Sequence, residues 1–453
     1  MTSGPAAPAP VLVADVPLSI QQDFFRTLDR GDETGAFGAK HVVAAGWRLR
    51  GRIDADALRL AVDDVIERHE MLRTSVVRDP DNPHQQVRAA TPARLLVRDI
   101  PGPRDDRDAR AEVFYNEIES ARYPVRELPH LRVALGRLAE DDAILVLVVQ
   151  HIAADGWSMT VIIRDLATRY AARLGESVPE LPPARQYREY VAAQRHEVDA
   201  PKAQRARAYW RDKLAGARIT TLPAQRAATG APGVFTDLRH LIGERIGAGV
   251  LDLAKATRST AYMVLVAAYN VLLREKSGTD DVVAATFSAS RADESFHDTV
   301  GAFLNFVPLR TDLTGCRTFL DVLTRTRRTC LEAFANELPF PVLLEQAPRL
   351  MDSAVHGTEV IGFEVLQFPR GLDGRTVGGI GYTELRRRLI SQPVACDIPD
   401  GVLWALDVLP SREIVSSLKF DTNLFDVPTM WGLVEDLGRI LTTVLAGPHA
   451  PMA

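Results

Sequence analysis

The sequence predicts a mixed α/β protein, in the broad sense that includes α+β, built as two lobes of comparable size. Three observations lead there. The 453 residues exceed one ordinary domain and suit two. Strand-like and helix-like periodicities alternate through both halves instead of segregating. A Pro-rich stretch, Val178-Pro179-Glu180-Leu181-Pro182-Pro183, interrupts that alternation as a linker does. The expected division is therefore 1–180 and 181–453, the second part including the linker.

Taken in order, Met1–Pro10 is Ala- and Pro-rich and reads as a loose tail. Asp54–His69 carries Leu58, Ala61, Val62, Val65 and Ile66 at three- and four-residue steps, the signature of an amphipathic helix. Leu131–Leu138 and Ala143–Gln150 read as strands joined by a turn at Glu140-Asp141-Asp142. The second is almost wholly aliphatic, as an interior strand covered on both faces should be. Ser158–Ala172 regains helical spacing through Val161, Ile162, Leu166 and Tyr170, with Ser158 placed as its N-cap. Beyond the linker, one polar helical stretch is expected from Gln186 to about Leu214, before the stop at Leu222-Pro223. A second long helix is expected over Ala248–Glu275 and a strand over Asp281–Ser288. Further helices are expected over Thr318–Asn336 and Thr429–Leu445.

Composition narrows the function. Hydrophobic residues make up 46% and charged residues 25%, enough apolar mass for packed cores. Lys and Arg number 54 against 59 Asp and Glu, and the signs intermix, as in Arg104-Asp105-Asp106-Arg107-Asp108. That balance argues against a nucleic-acid partner. Cys316, Cys330 and Cys396 are too few and too scattered for a disulfide framework or a zinc site, which suits a reducing cytoplasm. The start lacks a basic segment followed by an apolar one, and the tightest apolar run, Ala143–Val149, falls far short of the roughly 20 residues that span a bilayer. A cytoplasmic protein with no membrane partner and no bound metal is expected. Gly378-Gly379-Ile380-Gly381 has no strand-loop-helix context for a nucleotide and reads as a turn.

The chemistry concentrates in Gln150-His151-Ile152-Ala153-Ala154-Asp155-Gly156-Trp157-Ser158. A buried strand ends here and a helix begins, the position at which such folds place functional loops. A neutral His151 is a candidate general base, and an adjacent helix N-terminus favours the uncharged ring. Asp155 has two roles open to it: orienting His151, or pairing with an arginine to brace the loop. On these residues alone a packed, hydrogen-bonded histidine remains the alternative.

The same segment resembles the HHxxxDG motif of nonribosomal peptide synthetase condensation domains, with Gln150 in place of the first histidine. Other segments resemble that family's motifs in the same order. Glu67-Arg68-His69-Glu70-Met71-Leu72-Arg73-Thr74 is similar to RHExLRT, with His69 and Arg73 read as structural. Gln186-Tyr187-Arg188-Glu189-Tyr190, Gln194-Arg195 and Tyr209-Trp210 resemble its tyrosine/tryptophan region. Val300–Arg310 looks like IGxFVNxxxxR, Leu338-Pro339-Phe340-Pro341 like the PFE segment, and Phe420–Asp426 like YNxxLFD. The RNPL-type segment is not recognisable in Met351–Thr358.

The resemblance implies two chloramphenicol-acetyltransferase-like lobes arranged as a V around a central tunnel. It implies a peptidyl carrier protein whose phosphopantetheine arm presents an acyl thioester, with no cofactor bound by the chain itself. His151 and Gly156 become the catalytic candidates, the first for the proton and the second for its backbone N–H against the carbonyl oxygen. Asp155 is implied to be structural, paired with Arg291. Gln150, Trp157 and Asn305 are the substrate-binding candidates, Gln150 keeping hydrogen bonding without charge.

No adenylation, pantetheine-attachment or thioesterase motif accompanies these, so a free-standing condensation enzyme is expected. It would join a carrier-bound aminoacyl or acyl group to an amine or alcohol acceptor in natural-product biosynthesis. Two alternatives stand beside it. One is a non-catalytic, condensation-like docking module; the other is an O-acyltransferase that takes its acyl group from coenzyme A.

Overall fold

Asp142–Gln150 is buried at all nine positions, which an aliphatic strand achieves only with a neighbour on each edge and helices on its faces. In this computed structural model, which describes residues 9–227, 231–354, 357–369 and 371–452, that strand lies inside a mixed sheet. The loose tail expected at the start falls mostly on residues 1–8, outside the described residues.

The chain divides into two units. The first comprises Met1–Arg195, Ala289–Phe303 and Phe368–Leu385, and the second His196–Ser288, Leu304–Gln367 and Arg386–Ala453. Among the described residues, the first unit holds a six-stranded sheet in the order Arg375–Val377, Ile380–Glu384, Val42–Arg50, Asp142–Gln150, Leu131–Ala139, Arg94–Asp99. All neighbours are antiparallel except the last pair. A smaller sheet joins Val11–Pro17, His84–Arg88 and Thr74–Val77. The helices Ala55–Arg68 and Gly156–Arg173 pack together and close a core through Leu58, Val62, Val65, Ile162 and Leu166. Gly378 and Gly379, at φ +54° and +73°, make the tight turn between Arg375–Val377 and Ile380–Glu384.

The second unit is built on a sheet in the order Asn305–Asp312, Asp281–Ser288, Thr358–Val365, Val402–Val408, Ile414–Asp421, Phe235–Ile242, with Thr221–Pro223 paired to Thr358–Val365. Ala261–Ser277 is its central helix, buried continuously from Tyr262 to Leu273.

Three expectations are corrected. The helix at 158–172 begins two residues earlier, as Gly156–Arg173, and its N-cap is Asp155, whose side chain accepts from the Ser158 N–H. The stretch from Gln186 to Leu214 is two helices, Tyr187–Glu197 and Pro201–Lys213, because Pro201 opens a new one at its N-terminus. The long helix at 248–275 is also two, Glu244–Ala256 and Ala261–Ser277. Arg258 at φ +53° turns the chain between them, and Thr260 caps the second.

Candidate active site

The register of Val42–Arg50 on Asp142–Gln150 sets the site. Val42 pairs with Gln150, so the residues just outside the pair, His41 and His151, meet across the sheet end. The His151 N–H donates to the His41 carbonyl at 3.1 Å. Their rings stack, with centroids 5.0 Å apart and planes 20° from parallel. Ala153 N–H then donates to Gln150 O at 2.9 Å, closing the turn that carries the chain from strand to helix.

Asp155 anchors the far end of that turn. Its Oδ1 accepts from the Ser158 N–H and the Ser158 hydroxyl, both at 2.7 Å. Arg291 Nη2 reaches the same carboxylate at 3.1 and 3.3 Å, and the Phe303 N–H donates to Oδ2 at 3.3 Å. The ion pair is sealed, with side chains 1% and 3% exposed. Arg291 also donates through Nη1 to Phe296 O at 2.8 Å and Thr299 O at 2.9 Å, and its guanidinium lies 3.8 Å from the Phe303 ring centroid. Ser158 Oγ accepts from Gly301 N–H at 3.1 Å, fixing the segment 289–303 to the helix start. A buried carboxylate is tolerable because the Ser158 N–H and hydroxyl, Arg291 Nη2 and the Phe303 N–H converge on it.

Gly156 opens the helix, and its α-carbon faces the Phe368 ring so closely that an added Cβ would lie 2.4 Å from Cε2 and Cζ. Trp157 is half-buried, donates through Nε1 to His297 O at 3.0 Å and lies 5.0 Å from the His297 ring.

Gln150, expected against substrate, is 1% exposed, and its amide nitrogen donates to the main-chain carbonyls of Gly38 and Tyr123. Asn305, expected to line a tunnel, lies in the second unit with its amide committed to protein. Its Nδ2 donates to Glu337 Oε1 at 3.0 Å and to Leu338 O at 2.9 Å, and its Oδ1 accepts from Phe340 N–H at 2.9 Å. The structure thus brings His151, Asp155, Gly156, Trp157 and Arg291 together in the first unit, while the Gln150 side chain is committed to Gly38 O and Tyr123 O. His41 and Phe368 complete the surroundings and were not legible as partners, because sheet register and a chain return bring them there.

His69 and Arg73 of the RHExLRT-like segment are buried away from these contacts. His69 Nε2 lies 3.0 Å from Asp165 Oδ2, and Arg68 Nε lies 2.7 Å from the same atom. Burial pushes the Asp165 carboxyl up, but bonds and charges from His69 and Arg164 outweigh it and bring the pKa to about 2. Burial, in turn, holds His69 below the usual histidine value. The pair is a charged carboxylate receiving an imidazole N–H, a structural brace between the helices. Among the described residues no cluster of three or more His, Cys, Asp or Glu is arranged to hold a metal, and no helix is long and apolar enough to cross a membrane.

A family model for the condensation domain matches residues 33–374. Chondramide synthase cmdD of Chondromyces crocatus is 29% identical over 413 residues, covering 89% of this chain and 10% of that protein. Phosphinothricin tripeptide synthetase PhsB of Streptomyces viridochromogenes is 33% identical over 354 residues, covering 76% of this chain and 29% of that protein. The chain thus spans less than a third of the length of either relative. Among solved structures, the SgcC5 protein of Streptomyces globisporus, in complex with (R)-(-)-1-(2-naphthyl)-1,2-ethanediol and sucrose, superposes with a TM-score of 0.94 at 40% identity. That match covers 96% of this chain and 100% of that one. The X-domain from teicoplanin biosynthesis superposes at 0.76 with 26% identity, covering 99% and 98%. With its mixed α/β, chloramphenicol-acetyltransferase-like fold, the chain belongs to the condensation-domain family of nonribosomal peptide synthesis.

Proposed function

We propose that the protein is a condensation-type acyltransferase. It moves an acyl or aminoacyl group from a carrier-protein thioester onto a hydroxyl acceptor, forming an ester. The family works with carrier-protein domains and their phosphopantetheine arms. The observation that carries the reading is the placement of His151: the first residue past a buried strand, five residues before the start of an eighteen-residue helix, on a turn locked by the Asp155–Arg291 pair.

Attack by a hydroxyl on a thioester needs a proton removed and an oxyanion tolerated. His151, as a neutral imidazole, takes the hydroxyl proton while the oxygen bonds to the acyl carbon. The C–S bond then breaks, the carbonyl reforms and the thiolate takes up a proton. The first N–H groups of Gly156–Arg173 have no intrahelical acceptor and carry partial positive charge, so the Gly156 N–H is suited to the developing oxyanion. The Phe368 ring against Gly156 leaves no room for a side chain at that first helical position. The hydroxyl acceptor is supported by the aryl ethanediol held in the SgcC5 crystal. An amine acceptor needs the same base and the same donor.

The test incubates the protein with an aminoacyl thioester of a carrier protein and 1-(2-naphthyl)-1,2-ethanediol, beside the corresponding amino alcohol and a coenzyme A thioester. Ester formation that disappears in His151→Ala supports the reading. Equal turnover by wild type and His151→Ala removes it, leaving the non-catalytic role. Equal use of the coenzyme A thioester removes the carrier dependence.

A further inference from the structure

The segment that resembles HHxxxDG has lost its first histidine, yet the site contains two imidazoles. We infer that His41 is a positioning residue for His151, a second imidazole supplied by the facing strand while Gln150 fills position 150 itself. This rests on the reading of His151 as the base. The second ring arrives from another strand: because Val42 pairs with Gln150, the next residue outward on each strand is a histidine.

Two contacts couple them, the main-chain bond from His151 N–H to His41 O at 3.1 Å and the ring stack at 5.0 Å and 20°. A lone imidazole on a turn has two broad minima about its second side-chain torsion, and swapping them exchanges Nδ1 and Nε2. A parallel ring packed on one face hinders that rotation. His41 can act as such a wall because it is itself fixed. It is 4% exposed, its Nδ1–H donates to Ala36 O at 2.8 Å, and the Phe25 ring stands edge-on against it at 5.9 Å and 84°. A carbonyl only accepts, so the Nδ1 proton of His41 is assigned by its partner. The orientation of His151 is thereby tied to the helix Ile20–Thr27 that carries Phe25.

The experiment compares His41→Leu and His41→Phe, both apolar and close to the size of the buried ring, so that planarity is what separates them. With a carrier-bound aminoacyl thioester and 1-(2-naphthyl)-1,2-ethanediol, His41→Leu should lower kcat by about tenfold to a hundredfold with KM little changed, the penalty of a misoriented base. His41→Phe should recover most of that loss. Selective 15N labelling of the 10 histidines, with His151→Gln to identify the ring signals, reads the same effect without substrate. One sharp set of His151 ring signals is expected in wild type and His41→Phe, and a set averaged between two ring environments in His41→Leu. Thermal melting confirms that each variant is folded. Wild-type kcat in His41→Leu, or His41→Phe no better than His41→Leu, overturns the inference while His151→Ala still tests the base. An unchanged His151 ring spectrum in His41→Leu overturns it even where no turnover is found. Equal turnover by wild type and His151→Ala sinks the function instead.

Discussion

Removing the carboxylate of Asp155 should unfasten the turn that carries His151, and its contacts set the scale. In Asp155→Ala the Arg291 guanidinium, 1% exposed, keeps its bonds to Phe296 O and Thr299 O, but neutral carbonyls do not cancel its charge. Breaking a buried pair by deleting one partner costs about 3–5 kcal/mol. The helix also loses its cap, worth about 1 kcal/mol alone and overlapping with the first loss. Arg291→Met should fall at the lower end, near 3 kcal/mol, because the carboxylate retains the Ser158 N–H, the Ser158 hydroxyl and the Phe303 N–H. In Asp155→Ala with Arg291→Met no charge remains, so the double variant should be more stable than the sum of the singles by about 1–3 kcal/mol. With two units in the chain, one melting midpoint would mix their responses. Hydrogen exchange followed by mass spectrometry over 151–160 and 289–303 reads the affected segments directly. Less than about 1 kcal/mol lost in Asp155→Ala, or additivity within about 0.5 kcal/mol, would refute the view that this pair locks the turn.

Two more outcomes follow from the same geometry. Gly156→Ala places a methyl 2.4 Å from two Phe368 ring atoms. It should destabilise the first unit by about 1–3 kcal/mol and depress turnover, and Phe368→Leu in the same chain should restore part of both; unchanged melting and rate in the single variant would contradict the contact. His130 is buried, which drives its pKa from 6.5 down to about 4 despite its Nε2–H bond to Thr74 O at 2.8 Å. A depressed histidine stabilises the fold fully above its unfolded value and loses that contribution as pH falls toward the folded one. The melting temperature of wild type should therefore drop more steeply than that of His130→Leu between pH 6.5 and pH 4, a comparison that parallel slopes would defeat.

What was readable from the letters was whatever a single segment determines. Ala143–Val149 is a run of aliphatic, largely β-branched side chains, short and ended by a turn, which suits an interior strand buried on both faces. Helix 55–68 announces itself by spacing and by Asp54, whose side chain accepts from Asp56 and Ala57. Within Asp155-Gly156-Trp157-Ser158 two residues were chemically able to cap, and only the backbone decides between them: at φ −117° and ψ 179°, Asp155 is the extended one. The break at Arg258 had no Gly or Pro to mark it, since a left-handed arginine is an exception to the usual steric rule. Pro201, by contrast, was a visible helix start that the polar periodicity around it obscured. Val42–Arg50 was missed because Gly46 and Arg48 interrupt its apolar run. Its pairing with Ile380–Glu384 joins residues more than three hundred positions apart, which no local pattern encodes.

The substitution at position 150 is easier to understand from the carbonyls it serves than from the motif it breaks. Gln150 is the last residue of the strand and its side chain points into protein, donating to Gly38 O and Tyr123 O. One amide nitrogen carries two hydrogens and can serve both acceptors, which a ring nitrogen with a single hydrogen cannot. Glutamine therefore fits that double duty without needing a charge. The carbonyls it holds belong to the segments leading into His41 and out of Arg122, and Tyr123 N–H in turn donates to Ala39 O at 2.6 Å. Gln150 thus secures the residues immediately before His41, and His41 secures His151. A histidine at 150 would add an imidazole but leave one of those carbonyls without its donor, loosening the support beneath the pair of rings already present.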